Sequence, residues 1–97
     1  MRIWPEPLEF EWDKGNSGKN RKHGVEDTEA EQPFFDDNKA AFKDSIHSGR
    51  EERFRIIGKT KKDRLLFVVF TMRGRKVRII SARDVNRKEV SLYEKTA

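Results

Sequence analysis

The clearest periodicity in the chain lies between Arg53 and Arg83. Arg53 to Lys59 alternates, with Phe54 and Ile56 on one face and Arg53, Arg55 and Ile57 on the other, which predicts a strand with one apolar side. Leu65-Leu66-Phe67-Val68-Val69-Phe70 is a continuous apolar run, the pattern of a central strand covered on both faces. Lys76 to Arg83 alternates again: Val77, Ile79 and Ser81 share one side, and Arg78, Ile80 and Ala82 share the other. Thr60-Lys61-Lys62-Asp63 and Arg73-Gly74-Arg75 read as the turns between them. Three consecutive strands with short turns predict an antiparallel meander.

The pattern is weaker on either side of the meander. Met1 to Pro7 carries Pro5 and Pro7 and is expected as a loose N-terminal arm. Leu8, Phe10 and Trp12 alternate with Glu9 and Glu11, predicting a short half-buried strand with Phe10 and Trp12 toward the core. Asp13 and Gly24 frame Lys14 to His23 as a helix. This helix has no apolar stripe, and Gly15 and Gly18 each weaken it by about 1 kcal/mol relative to Ala, so its flanks must hold it. Glu26 to Glu31 predicts a second short helix, its acids in the first turn, which Pro33 ends or kinks. Phe34 and Phe35 offer core anchors before an Asp36-Asp37-Asn38 turn. Ala40, Ala41, Phe42 and Ile46 suggest a short strand, and His47 to Arg50 a loop. Asn86, with Glu89 at capping-box spacing, opens a last helix whose inner face is Val90 and Tyr93. The expectation is a single α+β domain over residues 1–97: an antiparallel sheet of about four strands, packed by two N-terminal helices and one C-terminal helix.

Composition sharpens this picture. Charged residues make up 40% of the 97 and hydrophobic ones 34%, close to the disordered range, and the apolar cluster from Phe54 to Ile80 is what allows a core. No cysteine is present, so disulfides and thiolate zinc sites are excluded and a cytoplasmic location is expected. No apolar run approaches the ~18 residues of a membrane span, and no export signal is visible. The net charge of +5 is segregated: Glu26 to Asp37 holds six acids and no base, while Arg73 to Lys88 holds seven bases and only Asp84. Such segregation points to one surface for a polyanion, the plainer alternative being a solvated charged shell.

Candidate chemistry gathers where the last strand runs into the last helix. Ser81 and Arg83 lie two residues apart on one face of the strand end, just before a helix N-terminus whose free N–H groups suit an anion. A phosphate site is the first hypothesis. Arg73 sits at the preceding turn, and the alternation sets Arg78 on the face opposite Ser81. Lys19, Lys22 and His23 share one side of the predicted helix at i, i+3 and i+4. Tyr93 reads first as a core aromatic, and His47 lies in a loop without partners. Two scattered histidines give no metal site, and no cofactor is expected.

Several strings recur together: Phe10-Glu11-Trp12-Asp13, Asn20-Arg21-Lys22-His23-Gly24-Val25, Glu52-Arg53-Phe54, Ile57-Gly58, Arg78-Ile79-Ile80-Ser81-Ala82-Arg83, and Glu89 with Tyr93. As an ordered set, from Leu8 to Tyr93, they resemble the BrnT family of toxins. The resemblance implies a RelE-like fold and a small ribonuclease that acts without a metal, through attack of the ribose 2′-hydroxyl on the scissile phosphate. It further implies a BrnA-like antitoxin with a ribbon-helix-helix domain, through which alone the toxin meets operator DNA. The chain departs from the family pattern at Gly15 and Gly18, where a helix is usually rich in Ala, and at Asp27, where an aromatic is common.

Under that resemblance Arg83, Ser81, Arg73 and His23 become the candidate catalytic residues, with Lys19, Lys22, Arg78, Arg87 and Lys88 as RNA contacts. Arg83 suits the phosphorane charge through its forked donors, against the alternative of a salt bridge to Glu89. Ser81 donates to phosphate or pairs with backbone. Histidine as a residue type titrates at about 6.5 in model peptides, which suits His23 to proton transfer, against the alternative of offsetting a helix dipole. A noncatalytic nucleic-acid-binding or antitoxin-binding module is the competing function.

Overall fold

A computed structural model describes residues 9–44 and 51–96. The predicted meander is present. Strands β3 (Arg53–Lys59), β4 (Leu65–Arg73) and β5 (Lys76–Asp84) pair antiparallel in sequence order. The turn before β4 is built around Thr60, whose Oγ1 accepts the N–H groups of Lys62 and Arg64, and Asp63 takes the left-handed conformation at φ 62°. Gly74, at φ 61°, turns β4 into β5.

Two further strands complete the sheet and correct its expected type. Strand β2 (Ala40–Asp44) pairs antiparallel with β3. Strand β1 (Glu9–Phe10) pairs with β5 in parallel, Phe10 opposite Val77, so the sheet is mixed and five-stranded in the order β1-β5-β4-β3-β2. A four-stranded, purely antiparallel sheet was expected because the alternation around Phe10 does not say which strand it joins. Ile46, the His47 to Arg50 loop and the N-terminal arm with Leu8 lie outside the described residues.

The expected helix over Lys14 to His23 does not form as such. Residues from Lys14 to Gly18 turn, with Gly18 left-handed at φ 73°, and only Lys19–His23 is helical, as a 3-10 turn closed by Gly24 at φ 71°. A segment without an apolar stripe has nothing to hold a regular helix against the sheet. Its buried residues are instead two asparagines. Asn16 donates to the Ile79 and Glu11 carbonyls at 3.0 and 2.9 Å, and Asn20 accepts the Ala82 N–H at 3.0 Å. The segment therefore completes the edge of β5 beyond the short β1, covering backbone groups that would otherwise be unpaired.

Helix α1 (Asp27–Glu31) runs straight into a second 3-10 turn, Gln32–Phe35, with Pro33 near its start. Among the described residues two α-helices therefore pack the sheet rather than three, the second being α2 (Arg87–Thr96). The core lies on both sheet faces. On the covered face, Ile56, Leu66, Val68, Phe70, Val77, Ile79 and Ala82 pack against Val25, Ala30 and Phe34, with Phe10 and Trp12 at the margin. On the opposite face, Ala40, Ile57 and Phe67 pack against Tyr93 of α2. The cap of α2 is the expected one: the Asn86 N–H donates to Glu89 and the Glu89 N–H to Asn86 Oδ1, at 3.0 and 2.9 Å. The inner residues of α2 are not the expected Val90 and Tyr93 but Glu89 and Tyr93. Glu89 can turn inward because an arginine meets it there.

Gly58 marks the tightest approach of these layers. A Cβ built there would lie 2.8 Å from the Pro33 carbonyl oxygen. The expected outcome for Gly58→Ala is a loss of about 1–3 kcal/mol in stability, read by urea unfolding, as β3 and the Pro33 turn are forced apart.

Candidate nucleic-acid interface

Ile80 decides which side chains share a face. Val69 pairs with Ser81 and Phe70 with Ile79, leaving Ile80 as an extra residue in β5, a β-bulge. The side-chain alternation therefore reverses once within the strand. Val77 and Ile79 before the bulge and Ala82 after it all face the same core. Arg78, opposite Thr71, consequently shares a face with Ser81, opposite Val69, and with Arg83, opposite Phe67. The expectation that Arg78 lies opposite Ser81 is thus corrected, because strict alternation cannot anticipate an inserted residue.

Register extends this surface across the sheet. Arg53 is opposite Thr71, Arg55 is opposite Val69, and Arg73 closes β4 opposite Lys76, so Arg53, Arg55, Arg73, Arg78 and Arg83 lie on one basic face. Helix α2 covers only the end of it nearest Phe67 and Tyr93.

Most of these arginines are already engaged. Arg83 makes a bidentate pair with Glu89 at 2.8 and 2.9 Å, donates to the Asp84 carbonyl, and stacks over the Phe67 ring at 4.3 Å. Burial pushes the Glu89 carboxyl up, but the hydrogen bonds from Arg83 and the Asn86 N–H, with the charges of Arg83 and Arg55, outweigh it and hold it below its usual range. Arg78 donates to Glu11 at 3.0 Å and to both oxygens of Asp13, and its side chain is only 13% exposed. The Arg78 hydrogen bonds, with that of the Gly15 N–H, depress the Asp13 carboxyl. Arg73 is shared between Glu51 and Glu11. The Ser81 hydroxyl, half-buried between Val69 and the strand end, has no hydrogen-bond partner among the described residues.

The other candidates are not gathered here. His23 ends the 3-10 turn at the β5 edge, where its carbonyl accepts from Arg64 at 3.4 Å and its side chain is exposed. A 3-10 turn aligns residues three apart, so Lys19 and Lys22 stay on one side while His23 leaves the expected row. Arg87 and Lys88 are exposed in the first turn of α2. Tyr93 is a core residue whose hydroxyl donates to Asp36 at 2.7 Å, and burial with that bond pushes its pKa up to about 12. Among the described residues no group of three or more His, Asp or Glu side chains could hold a metal ion.

Three residues of this architecture were not singled out in the sequence. Arg64, at the start of β4, ties Asp84 at 2.7 Å to Glu29 and the Gly24 carbonyl, and so pins the β5 end to the N-terminal segment. Nothing in its local pattern marks it. Arg55 and Phe42 are cross-strand neighbours on the basic face, the guanidinium 5.7 Å from the ring centroid. The alternation in β3 did show Arg53 and Arg55 facing away from Phe54 and Ile56, but without register it could not join them to Ser81.

An α+β domain whose sheet carries its larger core on one face and, on the other, arginines, aromatics and a serine beside the smaller core under α2 belongs to the class of small proteins with a surface suited to a polyanion. The family model for the ribonuclease toxin BrnT of type II toxin-antitoxin systems matches residues 12–89, and the chain belongs to that family. It is accordingly a type II toxin with ribonuclease activity, with RNA as substrate and an antitoxin as partner. No curated protein matches the chain. None of the described helices is long and apolar enough to cross a membrane.

The Arg83 to Glu89 pair gives a pH test with a defined sign. A carboxyl held low in the folded state adds stability above its unfolded pKa and loses it as pH falls through the folded one. The stability gap between wild type and Glu89→Gln, about 1–2 kcal/mol given the partial exposure of Arg83, should be full above the usual glutamate value of 4.5 and close below it. Thermal melts of both proteins across that range check it, and a gap independent of pH would refute the assignment.

Proposed function

We propose that the protein is a metal-independent endoribonuclease whose active surface is the basic sheet face at the end of β5. The observation that carries this reading is the reversal at Ile80, which sets Arg78, Ser81 and Arg83 on one face. Cleavage of this kind moves a proton off the ribose 2′-hydroxyl, forms the bond from that oxygen to phosphorus, and expels the 5′-oxygen with a proton, leaving a 2′,3′-cyclic phosphate. Charge accumulates on the non-bridging oxygens in the transition state. Arg83 supplies paired donors for it once the fork passes from Glu89 to the phosphate, the Phe67 ring holding the guanidinium in place. Ser81 supplies a further donor, and His23 remains the proton-transfer candidate from the β5 edge. The absence of metal from this scheme is supported by the donor set, which offers guanidinium groups where metal chemistry would need converging carboxylates and imidazoles.

RNA loss through this activity would inhibit translation and growth, and a BrnA-like ribbon-helix-helix antitoxin would neutralise it. To compete with RNA such a partner needs negative potential over the basic face, so its acids are expected against Arg73, Arg83 or the Lys14 to His23 segment. A complex in which the partner touches only Glu26 to Asp37 would count against this. One observation favours the binding-only reading instead: Arg73, Arg78 and Arg83 are each held by the protein's own carboxylates.

Cleavage decides between the two. Purified toxin freed of antitoxin should cut RNA, alone or with ribosomes, and Arg83→Ala should slow it at least about 100-fold and relieve growth arrest. Intact RNA under both conditions, with arrest unrelieved by Arg83→Ala, would sink the enzyme reading and leave the docking module.

A further inference from the structure

Arg55 differs from every other arginine described on the basic face. Its side chain makes no hydrogen bond and no ion pair among the described residues, and its Nε is buried without a partner. Asn20 Nδ2 at the β5 edge is likewise buried and unpaired, but on the basic face Arg55 alone combines a buried, unpaired Nε with a half-buried guanidinium whose other N–H groups are left for a ligand. The neighbours of Arg55 indicate what that ligand is. Across the sheet the row runs Phe42, Arg55, Val69, Ser81, so half-buried Val69 forms a floor with a guanidinium on one side and an unpaired hydroxyl on the other. Neighbouring strands lie about 4.8 Å apart, which places both groups within side-chain reach of one small anion above Val69. Arg83 borders the same floor one row further along, stacked on Phe67.

We propose that Arg55 seats a phosphate of the RNA substrate above Val69, opposite Ser81. This rests on the ribonuclease reading of the same face and adds to it the residue that meets the substrate first. Arg83 must exchange Glu89 for phosphate, whereas Arg55 feels the Glu89 charge but has no hydrogen-bonded carboxylate among the described residues to surrender. Phe42 flanks the guanidinium from the neighbouring strand, its ring centroid 5.7 Å away, and the remaining N–H groups of Arg55 are free to present a fork to two non-bridging oxygens. No bond is made or broken by Arg55; it binds and orients.

The test uses the full chain and two substrates. Binding is followed by fluorescence anisotropy with a 2′-O-methyl RNA oligonucleotide, which lacks the attacking hydroxyl, and cleavage with the unmodified sequence. Arg55→Gln should weaken binding about tenfold, lower the salt dependence of log K by about 0.7, and slow cleavage at least about 100-fold. Arg55→Lys should recover binding while cleavage stays slow, because a point charge replaces a fork. Arg55→Gln that binds and cleaves like wild type overturns the proposal while leaving the ribonuclease reading intact. Wild type that cleaves nothing overturns that reading, and the binding arm still decides on Arg55. Should Arg55→Gln fail to fold, the lysine variant carries the test, and wild-type cleavage by it overturns the proposal.

Discussion

Strand β5 holds one residue more than β4 does between the Phe70 and Val69 positions, and the orientation of every side chain after Ile80 depends on it. Without the bulge, Ala82 would leave the core and Ser81 would enter it, putting a hydroxyl among Leu66, Val68 and Phe70. Burying an unpaired hydroxyl there costs on the order of 1–3 kcal/mol. With the bulge, the strand satisfies the core on one face throughout and carries Arg78, Ser81 and Arg83 on the other. A local irregularity in backbone pairing thus converts a mixed strand into a two-faced one.

A bulge exposes backbone groups and increases twist, and the edge of β5 is where β1 is too short to cover it. The N-terminal segment resolves this with side chains rather than with another strand. Asn16 and Asn20, both nearly fully buried, take the Ile79 carbonyl and the Ala82 N–H on either side of the inserted residue. Arg64 adds a clamp from the start of β4 to Asp84 and the Gly24 carbonyl. Its hydrogen bonds hold the Asp84 carboxyl low, so the pair stays ionised at neutral pH. The charged, glycine-containing stretch that looked like a weak helix is therefore a brace for the strand that carries the candidate site.

This division explains what could be read from the chain. The β3, β4 and β5 strands were legible because their apolar positions recur with period two over lengths typical of strands, and the α2 cap because Asn86 and Glu89 are local in sequence. The salt bridge between Arg83 and Glu89 was legible as an alternative for the same reason. The bulge was not, since Ile80 and Ala82 are both small enough in polarity to keep the alternation plausible in either phase. Pairing of β1 with β5 spans more than sixty residues, and the asparagine contacts span about as far. Sequence periodicity carries no register across such distances, so the convergence of Arg55 with Ser81 was hidden although each residue's own face was not.

The self-pairing of the basic face bears on what can bind it. A ligand that takes the Arg83 fork from Glu89 leaves a carboxylate only 9% exposed, still facing the Asn86 N–H but short of its strongest partner. An anion without a proton to donate, such as sulfate, offers acceptors to Arg83 and nothing to Glu89, so the exchange strands a buried charge. A ribose phosphate offers both, acceptor oxygens for the guanidinium and a hydroxyl donor for the displaced carboxylate. The internal ion pair therefore does more than neutralise the site. If Arg83 meets the substrate as proposed, the pair sets a chemical condition that a phosphodiester bearing a free hydroxyl meets and that simple polyanion attraction does not.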